Sequence, residues 1–202
     1  MIAGTTGTFA ALFFITKKDK AVRTALLITL TLTLIPFLLP SREIDSRKIK
    51  KDYLDGLVAL NNVPYYWGGE SSRGIDCSGL PRKALREALF WNGLKSGNGM
   101  PIRAALYQWW NDASARAISE GYRNYATKLE TEGSIVEMSY DELEPGDLAV
   151  SNGGVHVLVY LGDKQWIQAA PEVGYVAIFD GRKDDNRWLK VAVTTHRWNV
   201  FN

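Results

Sequence analysis

The chain has one cysteine and two histidines among its 202 residues. A single cysteine excludes an internal disulfide framework and any thiolate-rich zinc or iron–sulfur site. Two histidines leave little material for an imidazole-based metal centre. A basic surplus is also missing. Of 24 Lys and Arg and 22 Asp and Glu, four and one fall in the first 40 residues, which leaves 20 and 21 for residues 41–202. A domain so evenly charged lacks the positive field that nucleic-acid binding needs. Internal repeats and low-complexity segments are absent too. Hydrophobic residues are 46% of the chain, which excludes disorder, and residues 41–202 suffice for one core.

Charge is absent from two stretches near the amino terminus, Ile2–Thr16 and Thr24–Pro40, separated by Lys17, Lys18, Asp19, Lys20 and Arg23. At 1.5 Å per residue they reach about 22 and about 26 Å, short of a hydrocarbon core of about 30 Å. Flanking Lys and Arg extend that reach by snorkelling. A cleaved signal peptide is the competing reading, but Leu38-Leu39-Pro40-Ser41-Arg42 offers no small-residue cleavage site. Two buried core helices fit poorly, because neither run has a polar face. Residues 1–40 are therefore expected to be a membrane anchor, a hairpin of two short spans. Four basic residues between the runs and five just after the second leave orientation undecided.

The remainder reads as helices followed by strands. Ser46 can cap a helix over Arg47–Leu60. Turn residues fill 61–76, and a second helix starts at Cys77 or Ser78 and runs to Trp91, with Pro81 in its first turn. A third covers Ile102–Glu120. After Gly133 the pattern alternates, giving strands at Ser134–Met138, Leu148–Ser151, Val155–Leu161, Gln165–Ala169, Gly174–Phe179 and Lys190–Thr194. Helices and then an antiparallel meander make an α+β domain.

Chemistry gathers at Gly74-Ile75-Asp76-Cys77-Ser78-Gly79, where a loop meets a helix. The partial positive charge and free N–H groups of a helix start favour thiolate and can hold an oxyanion. A lone cysteine is more often buried and inert, so the local context leaves both readings open. A cysteine nucleophile also needs a base, and the base an orienting partner. His156 stands in Gly153-Gly154-Val155-His156-Val157-Leu158-Val159-Tyr160, sharing a face with Leu158 and Tyr160. If Gly162-Asp163-Lys164 forms a three-residue loop, Leu158 opposes Gln168, and Gln168 comes within reach of His156. A two-residue turn would put Gln168 on the other face.

Four blocks now carry a resemblance: Pro64-Tyr65-Tyr66-Trp67-Gly68-Gly69, Asp76-Cys77-Ser78-Gly79-Leu80, Glu144-Pro145-Gly146-Asp147-Leu148 and His156-Val157-Leu158-Val159-Tyr160-Leu161-Gly162-Asp163. Together they resemble the NlpC/P60 family of cell-wall cysteine peptidases. The resemblance implies a papain-like fold in which a helix bearing Cys packs on an antiparallel sheet bearing His. It implies Cys77 as nucleophile, His156 as base and Gln168 at the third, orienting position. Tyr65 matches a tyrosine whose hydroxyl lies near the reacting carbonyl. Asp76 and Ser78 match positions that hold the amino end of a stem peptide. Peptidoglycan stem peptide is thus the expected partner and no metal or organic cofactor is implied, with residues 1–40 expected in the membrane and residues 41–202 on its extracytoplasmic side.

Pro81, the carboxamide of Gln168 and a long segment at about 90–133, read as a helical insertion, depart from the family pattern. Its aromatic residues, Tyr107, Trp109, Trp110, Tyr122 and Tyr125, are expected mainly in the core. An acyltransferase or lipid deacylase with the same Cys/His pair, and a catalytically silent wall- or membrane-binding module, are the competing readings. His196, the other histidine, belongs to no block.

Overall fold

The computed structural model describes residues 19–202. It begins with α1 (Lys20–Leu38), capped by Asp19, whose carboxylate accepts from the Ala21 and Val22 N–H groups at 3.0 and 3.3 Å. Among the described residues this is the one helix long and apolar enough to cross a membrane, with a mean hydropathy of 1.9. None of its residues is buried, which separates it from a core helix. The other apolar run, Ile2–Thr16, and with it the second span of the expected hairpin, lies outside the described residues.

Helix α2 (Ser46–Ala59) is capped by Asp45 rather than Ser46, through a 3.1 Å bond from the Lys48 N–H, and buries Ile49, Tyr53 and Leu57. A two-strand hairpin, β1 (Glu70–Ser71) and β2 (Gly74–Ile75), precedes α3 (Gly79–Ser96). The helix expected at Ile102–Glu120 is two helices, α4 (Gly99–Trp110) and α5 (Ala115–Ser119). Asn111 leaves the helical region at φ −110°, ψ 72°, and its side chain bonds back to the Tyr107 carbonyl at 3.0 Å. Ser114 then caps α5 through the Ala117 N–H. Short Asx and Ser side chains compete with the helix in this way wherever they can reach the backbone.

Six antiparallel strands follow: β3 (Ala126–Ser134), β4 (Leu148–Ser151), β5 (Val157–Gly162), β6 (Gln165–Ala170), β7 (Tyr175–Asp180) and β8 (Ala192–Trp198), in the order β3-β8-β4-β5-β6-β7. A short helix, α6 (Arg187–Lys190), capped by Asn186, displaces the start of the last strand from Lys190 to Ala192. The first strand runs through Ala126–Ser134, not Ser134–Met138 as expected, so the last eight residues of the segment 90–133 are extended while most of those before them are helical. Ala-Thr-Lys-Leu-Glu-Thr-Glu-Gly-Ser is polar because β3 is an edge strand paired only with β8, and charge on an edge discourages pairing with other chains.

Both faces of the central strands are covered. On one, Leu57, Leu80, Leu85 and Leu89 from α2 and α3 meet Val157, Val159, Ile167 and Val176. On the other, Leu158, Tyr160, Trp166 and Ala170 pack with Ile135, Trp188 and Leu189. Each such side chain contributes about 1.5–3 kcal/mol when removed from water. The Glu144-Pro145-Gly146-Asp147 block is structural here. Buried Asp147 accepts from Arg197 Nε and Nη2, both at 2.8 Å, and from the Glu144 N–H at 2.8 Å, which sets β4 against β8.

Candidate active site

Cys77 stands two residues ahead of α3. Asp76 organises the turn around it: Oδ1 accepts from the Gly79 N–H at 2.6 Å and the Ser78 hydroxyl at 3.1 Å, and Oδ2 from the Gly68 N–H at 2.9 Å. One carboxylate thus caps α3 and pulls in the Trp67-Gly68-Gly69 loop. Arg82 Nε donates to the Ser78 carbonyl at 3.0 Å and holds the turn from the helix side. Cys77 Sγ points at the Val155 carbonyl, 4.0 Å away, which belongs to the residue before His156.

His156 closes the hairpin between β4 and β5. Its N–H donates to Ser151 Oγ at 2.9 Å, and its carbonyl accepts from the Ser151 N–H at 2.9 Å. The preceding glycines admit α5. Gly154 has φ +68°, and a Cβ there would overlap Arg116 Cα and lie 2.5 Å from Arg116 Cβ. The imidazole is 2% exposed, with Nε2 2.5 Å from Gln168 Oε1. A carboxamide oxygen only accepts, so this bond places the proton on Nε2 and leaves Nδ1 with a free lone pair. The carboxamide Nε2 of Gln168 has no partner among the described residues.

Gln168 reaches His156 by a route the turn length alone did not give. The turn has two residues, Asp163 and Lys164, at φ +48° and +65°. A bulge between Tyr160 and Gly162 compensates, and Val159 pairs with Ile167 as in the three-residue register.

Burial dominates the electrostatics. It pushes the Cys77 thiol up to about 11, helped by the Asp76 carboxylate, and the N–H groups of Val157, Ser78 and Cys77 oppose this without prevailing. The expectation of a thiolate favoured by the helix start is corrected: burial outweighs the backbone N–H groups that stabilise the thiolate. Burial likewise holds His156 down to about 4, against the Gln168 hydrogen bond that would raise it. At neutral pH both groups are uncharged. Tyr65 is half-buried, tied by its N–H to the Gly174 carbonyl at 2.8 Å. Burial first, then the charges of Cys77 and Asp76, raise its phenol, which lies within electrostatic reach of the cysteine.

Tyr65, Asp76, Cys77, Ser78, His156 and Gln168 thus come together. Sequence reasoning missed Trp188, whose indole stacks on the His156 imidazole, and Glu172 and Arg187, which flank that indole. Nothing local marks Trp188, because its helix is four residues long and 32 residues from the histidine. His196 lies elsewhere, buried in β8 with Nε2 2.9 Å from Thr194 Oγ1.

No curated protein matches the chain in sequence. Among solved structures, the P60 domain of an M. avium subspecies paratuberculosis antigen is 20% identical, with 75% of this chain and 96% of that one covered and a TM-score of 0.45. The peptidoglycan hydrolase RipB of Mycobacterium tuberculosis is 22% identical, with 89% and 87% covered and a TM-score of 0.47. NlpC2 of Trichomonas vaginalis is 17% identical, with 77% and 49% covered and a TM-score of 0.47. The NlpC/P60 family profile matches residues 62–193, which include every side chain of the cluster around Cys77 and His156. The chain belongs to the NlpC/P60 family.

Proposed function

We propose that the chain is a cysteine hydrolase that cleaves an amide bond in peptidoglycan stem peptides. Family membership supports the coarser part of this reading, a cell-wall hydrolase. One observation carries the finer part: Cys77 Sγ faces the carbonyl of the residue before His156, whose buried imidazole is bonded to Gln168 through Nε2 and so keeps Nδ1 free as a base.

With thiol and imidazole both neutral, attack is general-base catalysed rather than the reaction of a resting ion pair. His156 Nδ1 takes the thiol proton as Sγ bonds to the substrate carbonyl carbon. The backbone N–H of Cys77, just ahead of α3, with the Tyr65 hydroxyl, receives the developing oxyanion. The imidazolium returns its proton to the leaving amine as the C–N bond breaks, giving a thioester. Water then gives a proton to Nδ1 and attacks the thioester, which releases the acid and the free thiol. Gln168 holds the imidazole throughout. Asp76 accepts three hydrogen bonds and, with a fourth lone pair and the Ser78 hydroxyl, offers a seat for the amino end of a stem peptide. The expected bond joins D-glutamate to a diamino acid. Residues 41–202 then lie outside the cytoplasmic membrane, anchored by α1.

The test is digestion of purified sacculi by the full chain in detergent, with mass spectrometry of what is released. Peptides with one new amino terminus, absent with Cys77→Ala, are expected. Release undiminished in Cys77→Ala would overturn the reading. A stable long-chain acyl adduct on Cys77 with no peptide released would favour lipid acyl transfer instead.

A further inference from the structure

We propose that α4 is a membrane-dipping helix: its aromatic end enters the lipid bilayer beside α1, and lipid acyl chains fill the groove between the two. The proposal rests on α1 being the membrane anchor.

The groove has a volume of about 910 Å³ and runs between Leu32, Thr33, Pro36 and Phe37 of α1 and the Arg103–Trp110 side of α4. Trp109 and Trp110 are 64% and 67% exposed, and Phe37 62%, so these two tryptophans, expected in the core, point outward instead. α4 carries one charge, Arg103, and that charge is consumed at the end of α1. Its Nη1 donates to the Pro36 and Leu39 carbonyls at 2.7 and 3.2 Å, and its Nη2 to Ser41 Oγ at 2.5 Å. These carbonyls include ones that a helix end leaves unpaired, and in a membrane they would be costly if left so.

The joint between anchor and domain is built rather than slack. The Gly99 N–H donates to the Pro40 carbonyl at 2.9 Å. Buried Asn98 accepts from the Arg42 N–H and donates to the Arg42 carbonyl, both at 3.0 Å. A Cβ at Gly99 would overlap the Arg103 guanidinium and lie 2.7 Å from the Leu39 carbonyl oxygen, so glycine is what lets α1 and α4 meet.

Direction and depth follow. Arg103 meets the last turn of α1, and Tyr107, Trp109 and Trp110, one to two turns further along α4, share the groove with Leu32 and Thr33, one to two turns back. The helices are therefore antiparallel, and α4 descends along α1. Leu32 lies six residues from Leu38, about 9 Å along the axis. That is the depth of an interfacial helix, about 5–10 Å, and the level at which Trp and Tyr concentrate. The occupant is thus acyl chain, continuous with the lipid around α1. The catalytic domain would sit at a fixed height and tilt above the bilayer.

The full chain is reconstituted in phosphatidylcholine vesicles whose acyl chains are brominated near the carbonyl end, and tryptophan fluorescence is compared with that of Trp109→Phe/Trp110→Phe. Phenylalanine preserves packing while removing the two reporters. Quenching in the wild type, mostly lost in the double variant, is expected. Quenching equal in both, or absent while the chain resists alkaline carbonate extraction, would overturn the dipping of α4 and leave the anchor standing. The second result is also the one expected if another copy of the chain covered this face. Release of the chain by carbonate would overturn anchor and dipping helix together.

Discussion

The imidazole of His156 lies flat against the indole of Trp188, with ring centroids 4.1 Å apart and planes 18° from parallel. The indole is itself held: Nε1 donates to Glu172 Oε2 at 3.3 Å, Arg187 lies 4.4 Å from its centroid, and Arg187 pairs with Glu172 at 3.1 Å. Gln168 fixes the ring by an edge and Trp188 by a face, which together leave it one orientation.

Trp188→Ala is therefore expected to lower kcat about 10- to 100-fold, the range seen for groups that orient a functional imidazole, with a smaller change in KM. Trp188→Phe should recover much of the loss, because a phenyl ring can still stack. Steady-state kinetics on a muropeptide check this. If kcat is unchanged in a Trp188→Ala protein that has lost stability, by about 3–5 kcal/mol for a buried Trp, the indole is core and nothing more.

Gln168 separates holding from charging. Gln168→Ala removes the bond and should cost about 10- to 100-fold in kcat. Gln168→Glu keeps a bond but adds a carboxylate, which stabilises imidazolium and raises the His156 pKa. The acid limb of the pH–rate profile should then move upward from its wild-type position. An unmoved limb would show that His156 does not govern it.

How much of this was legible can be judged residue by residue. The Cys77 turn, Leu148–Ser151 and the β5–β6 hairpin announce themselves, because capping residues, glycines and alternation act over a few positions. The His156–Gln168 contact was legible only as a conditional, since register hung on a bulge at Leu161 that pattern alone does not reveal. The edge strand β3 was invisible, its polar sequence reflecting where it sits rather than what it forms. Trp188 and the neutral state of Cys77 depend on burial by segments distant in sequence. Trp109 and Trp110 misled for a related reason: aromatic residues at helical spacing mean core only if something polar lies outside them.

The neutral pair has a kinetic signature. With His156 at about 4 and Cys77 at about 11, kcat/KM should rise through an acid limb near the former. It should then stay flat between about pH 6 and about pH 9, where a thiolate–imidazolium pair would lose its imidazolium proton. A falling limb inside that window would mean that the resting pair is charged.

Stability should carry the mark of both histidines. Burial lowers His156 and His196 from 6.5 to about 4. Between those values the unfolded chain binds more protons than the folded one, so acid favours unfolding. The stabilisation is fully present above about pH 6.5 and lost as pH falls towards 4. Tm should fall across that window, and His196→Gln should flatten the fall without abolishing peptide cleavage. A Tm independent of pH there would contradict burial of two neutral imidazoles.

The central claim is that the substrate acyl group passes through the Cys77 sulfur. Acid quenching of the full chain during turnover of a muropeptide, followed by mass spectrometry of its peptides, tests it directly. The account predicts a substrate acyl adduct on the peptide that contains Cys77, removed by hydroxylamine and lacking in Cys77→Ala, which also releases no product. Product release at an undiminished rate by Cys77→Ala would contradict it.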